Sequence, residues 1–148
     1  MIGRSLNLAR DRAGAAALEF AFLAPVLLVL MMGMAQFGIT LNNYLTLTNA
    51  VSTGARVFAI SREAATPRSS TVTQVQNAAP NFTQASLTIT ISVDGTACAT
   101  DSACATALSS NAGNPATVVA SYPCNLTVMA INYAPGCTLS STTTERIQ

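Results

Sequence analysis

The chain has 148 residues, of which 50% are hydrophobic and only 9% are charged, and its formal net charge is +1. This length allows one membrane segment and one small domain, and the few cations, seven Arg and no Lys, form no basic patch for a nucleic acid. Since the sequence has no His, it offers neither an imidazole metal ligand nor the usual base for a Ser or Cys nucleophile. We therefore expect no enzymatic activity, no metal and no cofactor.

The chain opens with a basic stretch that is followed by a long uncharged run. Three arginines precede the run, which extends from Phe20 to Ala55. Because a helix of about 20 apolar residues crosses a bilayer, we expect a membrane span at about residues 20–41. The arginines predict that the N-terminus stays on the cytoplasmic side. Glu19 immediately precedes the uncharged run, at a position where an isolated carboxylate is costly and usually has a partner.

Two general kinds of N-terminal signal fit this pattern. In a cleaved secretory signal, the small residues Gly33 and Ala35 would precede the cut, and the mature chain would begin at Gln36. Against this, the apolar character continues as far as Leu41. In an uncleaved signal anchor, the Glu19 side chain would only reach back toward the lipid head groups, as long side chains near helix ends do.

A third interpretation rests on a resemblance to a known family. Gly14, followed four residues later by Leu18–Phe20 and then by a hydrophobic run, resembles the processing site of type IV pilin-like proteins. The next stretch, Ala21–Leu28, is similar to the opening of the TadE-like pseudopilin family of the Tad (tight adherence), or Flp, pili. Val51–Arg56 resembles a later segment of that family, although it lacks that segment's first Arg-Glu pair.

The resemblance implies a leader peptide over residues 1–14, removed by a prepilin peptidase that cuts between Gly14 and Ala15. A Gly at that place admits close approach of a peptidase, and the new α-amine of Ala15 would lie one helical turn from Glu19. In related pilins this acid meets the N-terminus of an adjacent subunit, so the resemblance assigns Glu19 and Phe20 to assembly. It also implies a single-pass protein of the bacterial inner membrane with a periplasmic distal domain, or incorporation in an extracellular pilus.

The partners implied by the resemblance are the prepilin peptidase, the inner-membrane pilus platform, the major pilin and a sister pseudopilin, together with membrane lipid. Major pilins of this system are usually little more than the hydrophobic helix, so the extra domain favours a minor pseudopilin that takes part in assembly of an adhesion pilus. The competing hypothesis is a membrane-anchored or secreted surface-binding module, similar to an adhesin, with no pilus role.

The hydrophobic helix is predicted to continue beyond the membrane, over residues 15–60. In its second half, apolar or small side chains recur every three or four residues, and we expect this stripe to face the distal domain. Pro25 removes one backbone hydrogen bond inside the helix and is expected to kink it. The stripe consists of Leu41, Leu45, Thr48, Val51, Ala55 and Phe58.

Residues 61–148 are predicted to form a small α+β domain that begins with a short helix and a strand. Pro67 ends the long helix, and Ser69 or Ser70 is expected to cap a second helix that stops near Pro80. The strict alternation over Leu87–Val93 predicts a strand. A turn at Asp94-Gly95 follows it.

The rest of the domain is predicted to be a loop and two further strands. We expect Thr96–Pro115 to be a loop in which the Asp101 carboxylate is solvated. A second strand is expected at Ala116–Tyr122, and Leu126–Met129 is expected to continue it after a bend at Pro123. The tail, Thr138–Ile147, is expected to supply an edge strand.

All four cysteines lie in this distal domain. An even number of cysteines in the part that would be exported suggests disulfides, each contributing roughly 2–3 kcal/mol on the chain-entropy model. Of the three possible pairings, sequence proximity favours Cys98 with Cys104 and Cys124 with Cys137. A zinc site is the rival, but the spacings lack C-x2-C knuckles.

The expected fold is therefore α+β, with a long N-terminal helix packed on a small antiparallel sheet and stapled by disulfides. The resemblance adds that this arrangement is type IV pilin-like.

Overall fold

The computed structural model describes residues 12–124, 126–128 and 131–148. Most of the leader peptide expected for residues 1–14 therefore lies outside the described residues. In chain order the helices are α1 (Arg12–Ile60), α2 (Pro67–Ala78) and α3 (Asp101–Ser110), and a 3-10 turn covers Gln84–Ser86. The strands are β1 (Thr88–Val93), β2 (Thr96–Ala97), β3 (Pro115–Pro123), β4 (Thr127–Val128), β5 (Ile131–Asn132) and β6 (Thr138–Arg146).

Helix α1 is the longest element of the fold. Its described part has 49 residues, which corresponds to about 73 Å at 1.5 Å per residue, and it is already helical at Arg12, the first described residue, earlier than the expected Ala15. The Thr40 hydroxyl donates to the Gln36 carbonyl four residues back, at 3.0 Å, so a polar side chain in this apolar stretch is satisfied by the helix itself. Pro25 lies inside α1, and the kink expected there stays a prediction.

The second half of α1 packs on the distal domain through one stripe. The stripe begins at Leu47 and contacts α2, β3 and β6. The prediction is confirmed from Val51 onward and wrong at Leu41 and Leu45, which stay exposed because they lie on a different face of α1 from Thr40 and Asn43, the residues beside the domain at this level. Thr48 is half-buried. The buried members recur at intervals of three and one, as one helical face requires: Leu47, Ala50, Val51, Gly54, Ala55, Phe58 and Ala59.

The main sheet is antiparallel with strand order β2-β1-β3-β6, so the α+β prediction is confirmed. Alternation places Ile91 and its cross-strand partner Val118 in the core, while Thr90 points outward. Strand β6 is the predicted edge strand. The predicted turn joins β1 to β2 through Asp94 and Gly95, whose φ angles of 48° and 77° suit a tight hairpin turn.

The stretch expected to be a loop, Thr96–Pro115, instead contains β2 and helix α3. The Thr100 hydroxyl oxygen caps α3 by accepting a hydrogen bond from the Ala103 N–H, at 3.2 Å. Cys104 and Leu108, one turn apart, are buried in the core. The loop prediction was wrong because the Gly, Asn and Ser residues and the cysteine pair suggested irregular structure, whereas a cap and two core contacts stabilise a helix.

Helix α2 also begins earlier than expected. Its first residue is Pro67 rather than a residue after Ser69 or Ser70, because the fixed φ of a proline suits the first position of a helix. The helix ends at Ala78, before Pro80, as predicted.

The segment after Pro123 does not continue β3. Strand β4 pairs with β5 in a separate two-stranded sheet, in which Thr127 faces Asn132. The chain turns at Cys124, whose N–H donates to the Cys137 carbonyl at 3.0 Å and so closes the segment at its base. Met129 lies outside the described residues. We call Cys124–Cys137 the disulfide hairpin.

The cysteines pair as sequence proximity favoured. Cys98 bridges Cys104 and Cys124 bridges Cys137, with Cα–Cα distances of 5.1 and 5.2 Å. The first bridge joins the end of β2 to α3, and the second closes the connection between β3 and β6. No thiol is left for the rival zinc site, since all four cysteines are bonded.

Candidate functional site

Helix α1 has an exposed half and a buried half, which meet between Leu45 and Leu47. Phe22 in the first half is 72% exposed, whereas Leu47 is fully buried. An apolar surface of this extent is rarely left bare and indicates contact with lipid or with other proteins. Its large members are Leu18, Phe20, Phe22, Leu23, all residues of 26–32, Met34, Phe37, Ile39, Leu41, Tyr44 and Leu45.

The exposed half of α1 is long enough to cross a bilayer. From Gly14 to Leu45 it measures about 47 Å, compared with about 30 Å for the hydrocarbon layer. Within the part of the chain that the structure describes, α1 is the one helix that is long and apolar enough for such a span. The helix therefore fits a single-pass membrane anchor.

The expected cleavage point, between Gly14 and Ala15, lies near the start of the described part of α1. Both residues are exposed, and within the described chain a β-carbon at Gly14 would meet nothing beyond its own stretch of helix within 4 Å. The residues on both sides of the expected cleavage point are therefore accessible.

Glu19 and Phe20 follow on the same exposed half, with Glu19 one turn after Ala15. Both side chains are exposed, Phe20 by 67%. Glu19 is the one charged residue of the chain between Arg12 and Arg56. A carboxylate near a helix N-terminus interacts favourably with the partial positive charge of that end, so removal of the residues before Ala15 would bring Glu19 close to such an end.

A shallow apolar depression lies on the exposed half beside Pro25. A depression of this kind can accept an apolar side chain of a neighbouring helix. Farther along, Gly33 and Gly38 have open space where a side chain would begin, and small residues let helices approach closely in a membrane. The depression is lined by Pro25, Val26, Val29 and Leu30.

An ion pair that the sequence did not predict joins α1 to the sheet. The Arg56 Nε lies 3.9 Å from Oε1 of Glu145 on β6, and the Arg56 side chain is 75% exposed. A pair this exposed contributes about 0–1 kcal/mol. The two residues are far apart in sequence, and only the docking of β6 beside α1 brings them together.

Asp101 links α2 to α3, and it is the first residue of α3 rather than part of the loop that we expected. Its Oδ1 accepts a hydrogen bond from the Ser69 N–H at 2.8 Å, and its Oδ2 accepts one from the Ser69 hydroxyl. These bonds, the hydroxyl bond most strongly, lower the pKa of Asp101 from its ordinary value of 3.8. The carboxylate therefore caps the first turn of α2 from a neighbouring helix.

The comparison with known proteins gives a match over most of α1, namely its exposed half and its buried half as far as Arg56. The family model described as TadE-like protein matches residues 14–56. The matched segment contains Gly14, Glu19, Phe20 and Pro25, and the resemblance drawn from the sequence is thereby confirmed. No curated protein and no solved structure matches the chain significantly.

Proposed function

Because residues 14–56 carry the TadE-like family segment, which associates the protein with Tad pilus systems, we propose that it is a minor pseudopilin. In this role a prepilin peptidase cleaves the chain after Gly14. The processed helix then takes part in assembly of a Tad-type adhesion pilus. The observation that carries the proposal is the bare apolar half of α1, with one carboxylate at its N-terminal end and a separate domain at its other end.

The proposed role of Glu19 is to set the register between subunits. Cleavage would leave the Ala15 α-amine about 6 Å along the helix axis from Glu19, within reach of the same chain or a neighbouring one. In a medium of low dielectric two isolated charges are costly, and their pairing removes most of that penalty without a large net gain over apolar packing. A pair of this kind selects one alignment of neighbouring helices rather than adding much stability.

The remaining roles follow from the two halves of α1. The proposed topology has a cytoplasmic N-terminus and a periplasmic distal domain in the inner membrane. The proposed partners of the exposed half are the pilus platform, the major pilin and a sister pseudopilin. We assign the distal domain to protein contact rather than catalysis.

The proposal is tested with Glu19→Ala in the host organism. We expect the variant to reach the membrane and to begin at Ala15 like the wild type, while pili are lost from the cell surface. Glu63→Ala is the matched control, because Glu63 is also an exposed acid but follows the end of α1, and it should leave piliation intact. Normal piliation in the Glu19→Ala strain would exclude the assigned role.

A further inference from the structure

The disulfide hairpin lies at the end of the domain nearest the exposed half of α1. At the far end of the domain, the Gln148 N–H donates to the Ala59 carbonyl at the end of α1, at 3.1 Å. Strand β3 runs back from there, and at its other end Pro123 and Cys124 line a cleft together with Ile39 and the following turn of α1. Nine residues of strand cover about 30 Å, as do the 20 helical residues between Ile39 and Ala59. The hairpin therefore begins where α1 leaves the domain.

The surface of the hairpin suits a lipid interface. Residues 124–137 carry no charge. Ile131 is 57% exposed and Tyr133 is 67% exposed. Among the described residues after α1, these two are the large hydrophobic side chains left most open to solvent. A tyrosine with an apolar ring and a polar hydroxyl is typical of the membrane–water boundary.

The level of the hairpin also matches the edge of the bilayer. A hydrocarbon layer of about 30 Å takes about 20 helical residues, so a span that starts at Phe20 ends near Ile39. The hairpin starts at this level, and strand β4 contacts α1. Tyr44, which is 43% exposed on α1, lies one to two turns beyond it and supplies a second aromatic side chain at the boundary.

We propose that the disulfide hairpin is a second membrane contact, in which Ile131 and Tyr133 enter the interfacial layer of the leaflet where α1 emerges. This inference rests on the proposed membrane placement of α1. The Cys124–Cys137 bridge restricts the hairpin and so lowers the entropy lost when it settles in the interface. With α1 as its only anchor, the domain could rotate about the axis of that helix. A second contact through the hairpin fixes the orientation of the domain on the bilayer before assembly.

The chain contains no Trp, so a single introduced Trp reports its own surroundings. Full-length Tyr133→Trp is reconstituted at a low protein-to-lipid ratio in vesicles of phosphatidylethanolamine and phosphatidylglycerol, with or without lipids brominated near the head-group end of the acyl chains. Phe37→Trp marks the membrane span. Ile60→Trp is the matched control, because the 65% exposure of Ile60 is similar to the 67% of Tyr133 although Ile60 lies at the opposite end of the domain.

We expect Tyr133→Trp to lose emission in brominated vesicles and to shift to shorter wavelength, as Phe37→Trp does, whereas Ile60→Trp responds only to aqueous iodide. If Phe37→Trp is quenched by brominated lipid and Tyr133→Trp is not, the hairpin contact is overturned while the anchor stands. Shielding of Tyr133→Trp from both quenchers means a protein contact and also overturns it. If brominated lipid quenches Ile60→Trp as strongly as Tyr133→Trp, both ends of the domain contact the membrane equally, and the hairpin contact is likewise overturned. Failure of Phe37→Trp itself to be quenched overturns the anchor, and the hairpin inference with it.

Discussion

Gly54 of α1 lies directly against Val75 of α2. A β-carbon at position 54 would overlap the Val75 Cγ2 atom, and it would also touch Thr71, 3.5 Å away. Val75 is fully buried, and a β-branched side chain in a helix has one strongly preferred rotamer. The missing side chain at Gly54 is therefore what allows the two helices to pack at this distance.

Gly54→Ala is expected to destabilise the distal domain by about 1–3 kcal/mol, the usual effect of adding a methyl group to a packed contact. The measurement is thermal or urea unfolding of the full chain in detergent, followed by circular dichroism. Gly38→Ala is the control, since a β-carbon there meets nothing within 4 Å, and it should leave the midpoint unchanged. Val75→Ala should make the Gly54→Ala change easier to tolerate, and equal losses in both backgrounds would contradict the contact.

Asp101 should make the stability of the domain depend on pH. Because its pKa is lowered on folding, chiefly by the hydrogen bonds from Ser69, the ionised carboxylate stabilises the folded state above its ordinary pKa. That contribution is lost as the pH falls below 3.8 and through the folded pKa. Asp101→Asn should therefore unfold at a lower temperature than the wild type at neutral pH, and the difference should vanish in acid. NMR titration gives the pKa of Asp101 in the folded protein. If the two unfolding temperatures still differ below that pKa, the charge of Asp101 is not the cause of the difference.

The disulfide that closes the shorter loop, Cys98–Cys104, is expected to contribute more to the unfolding free energy than Cys124–Cys137. On the chain-entropy model each contributes about 2–3 kcal/mol, the longer loop slightly more. The Cys98–Cys104 bridge, however, lies in the hydrophobic core, with Cys104 fully buried, so its removal also loses packing. The double variant Cys98→Ala/Cys104→Ala should lower the unfolding free energy more than Cys124→Ala/Cys137→Ala does, measured under the same denaturant series.

Processing after Gly14 predicts that the protein isolated from native membranes begins at Ala15, which intact-mass spectrometry detects. Gly14→Val should block the cut, because a branched side chain obstructs the approach to the bond that Gly leaves open, while Gly33→Val should not affect it. A mature start at Gln36 would favour the secretory signal, and retention of Met1 would favour the plain anchor.

The sequence by itself determined the features that depend on neighbours along the chain. The uncharged run within α1, the alternation of β1 and the turn at Asp94-Gly95 are local patterns, because apolar length and side-chain period fix them within a few residues. The motif around Gly14 and Glu19 is equally local, and so the TadE-like segment could be recognised without a structure.

The tertiary structure alone decided which parts of these elements meet. Leu41 and Leu45 stay exposed because the domain lies against another face of α1, the one that carries Thr40, Asn43 and Leu47. Asp101 holds a helix N-terminus because Ser69, 32 residues earlier, folds next to it. The level of the disulfide hairpin follows from the length of β3 alongside α1. Each of these depends on contacts between residues distant in sequence, whose free energy no local pattern contains.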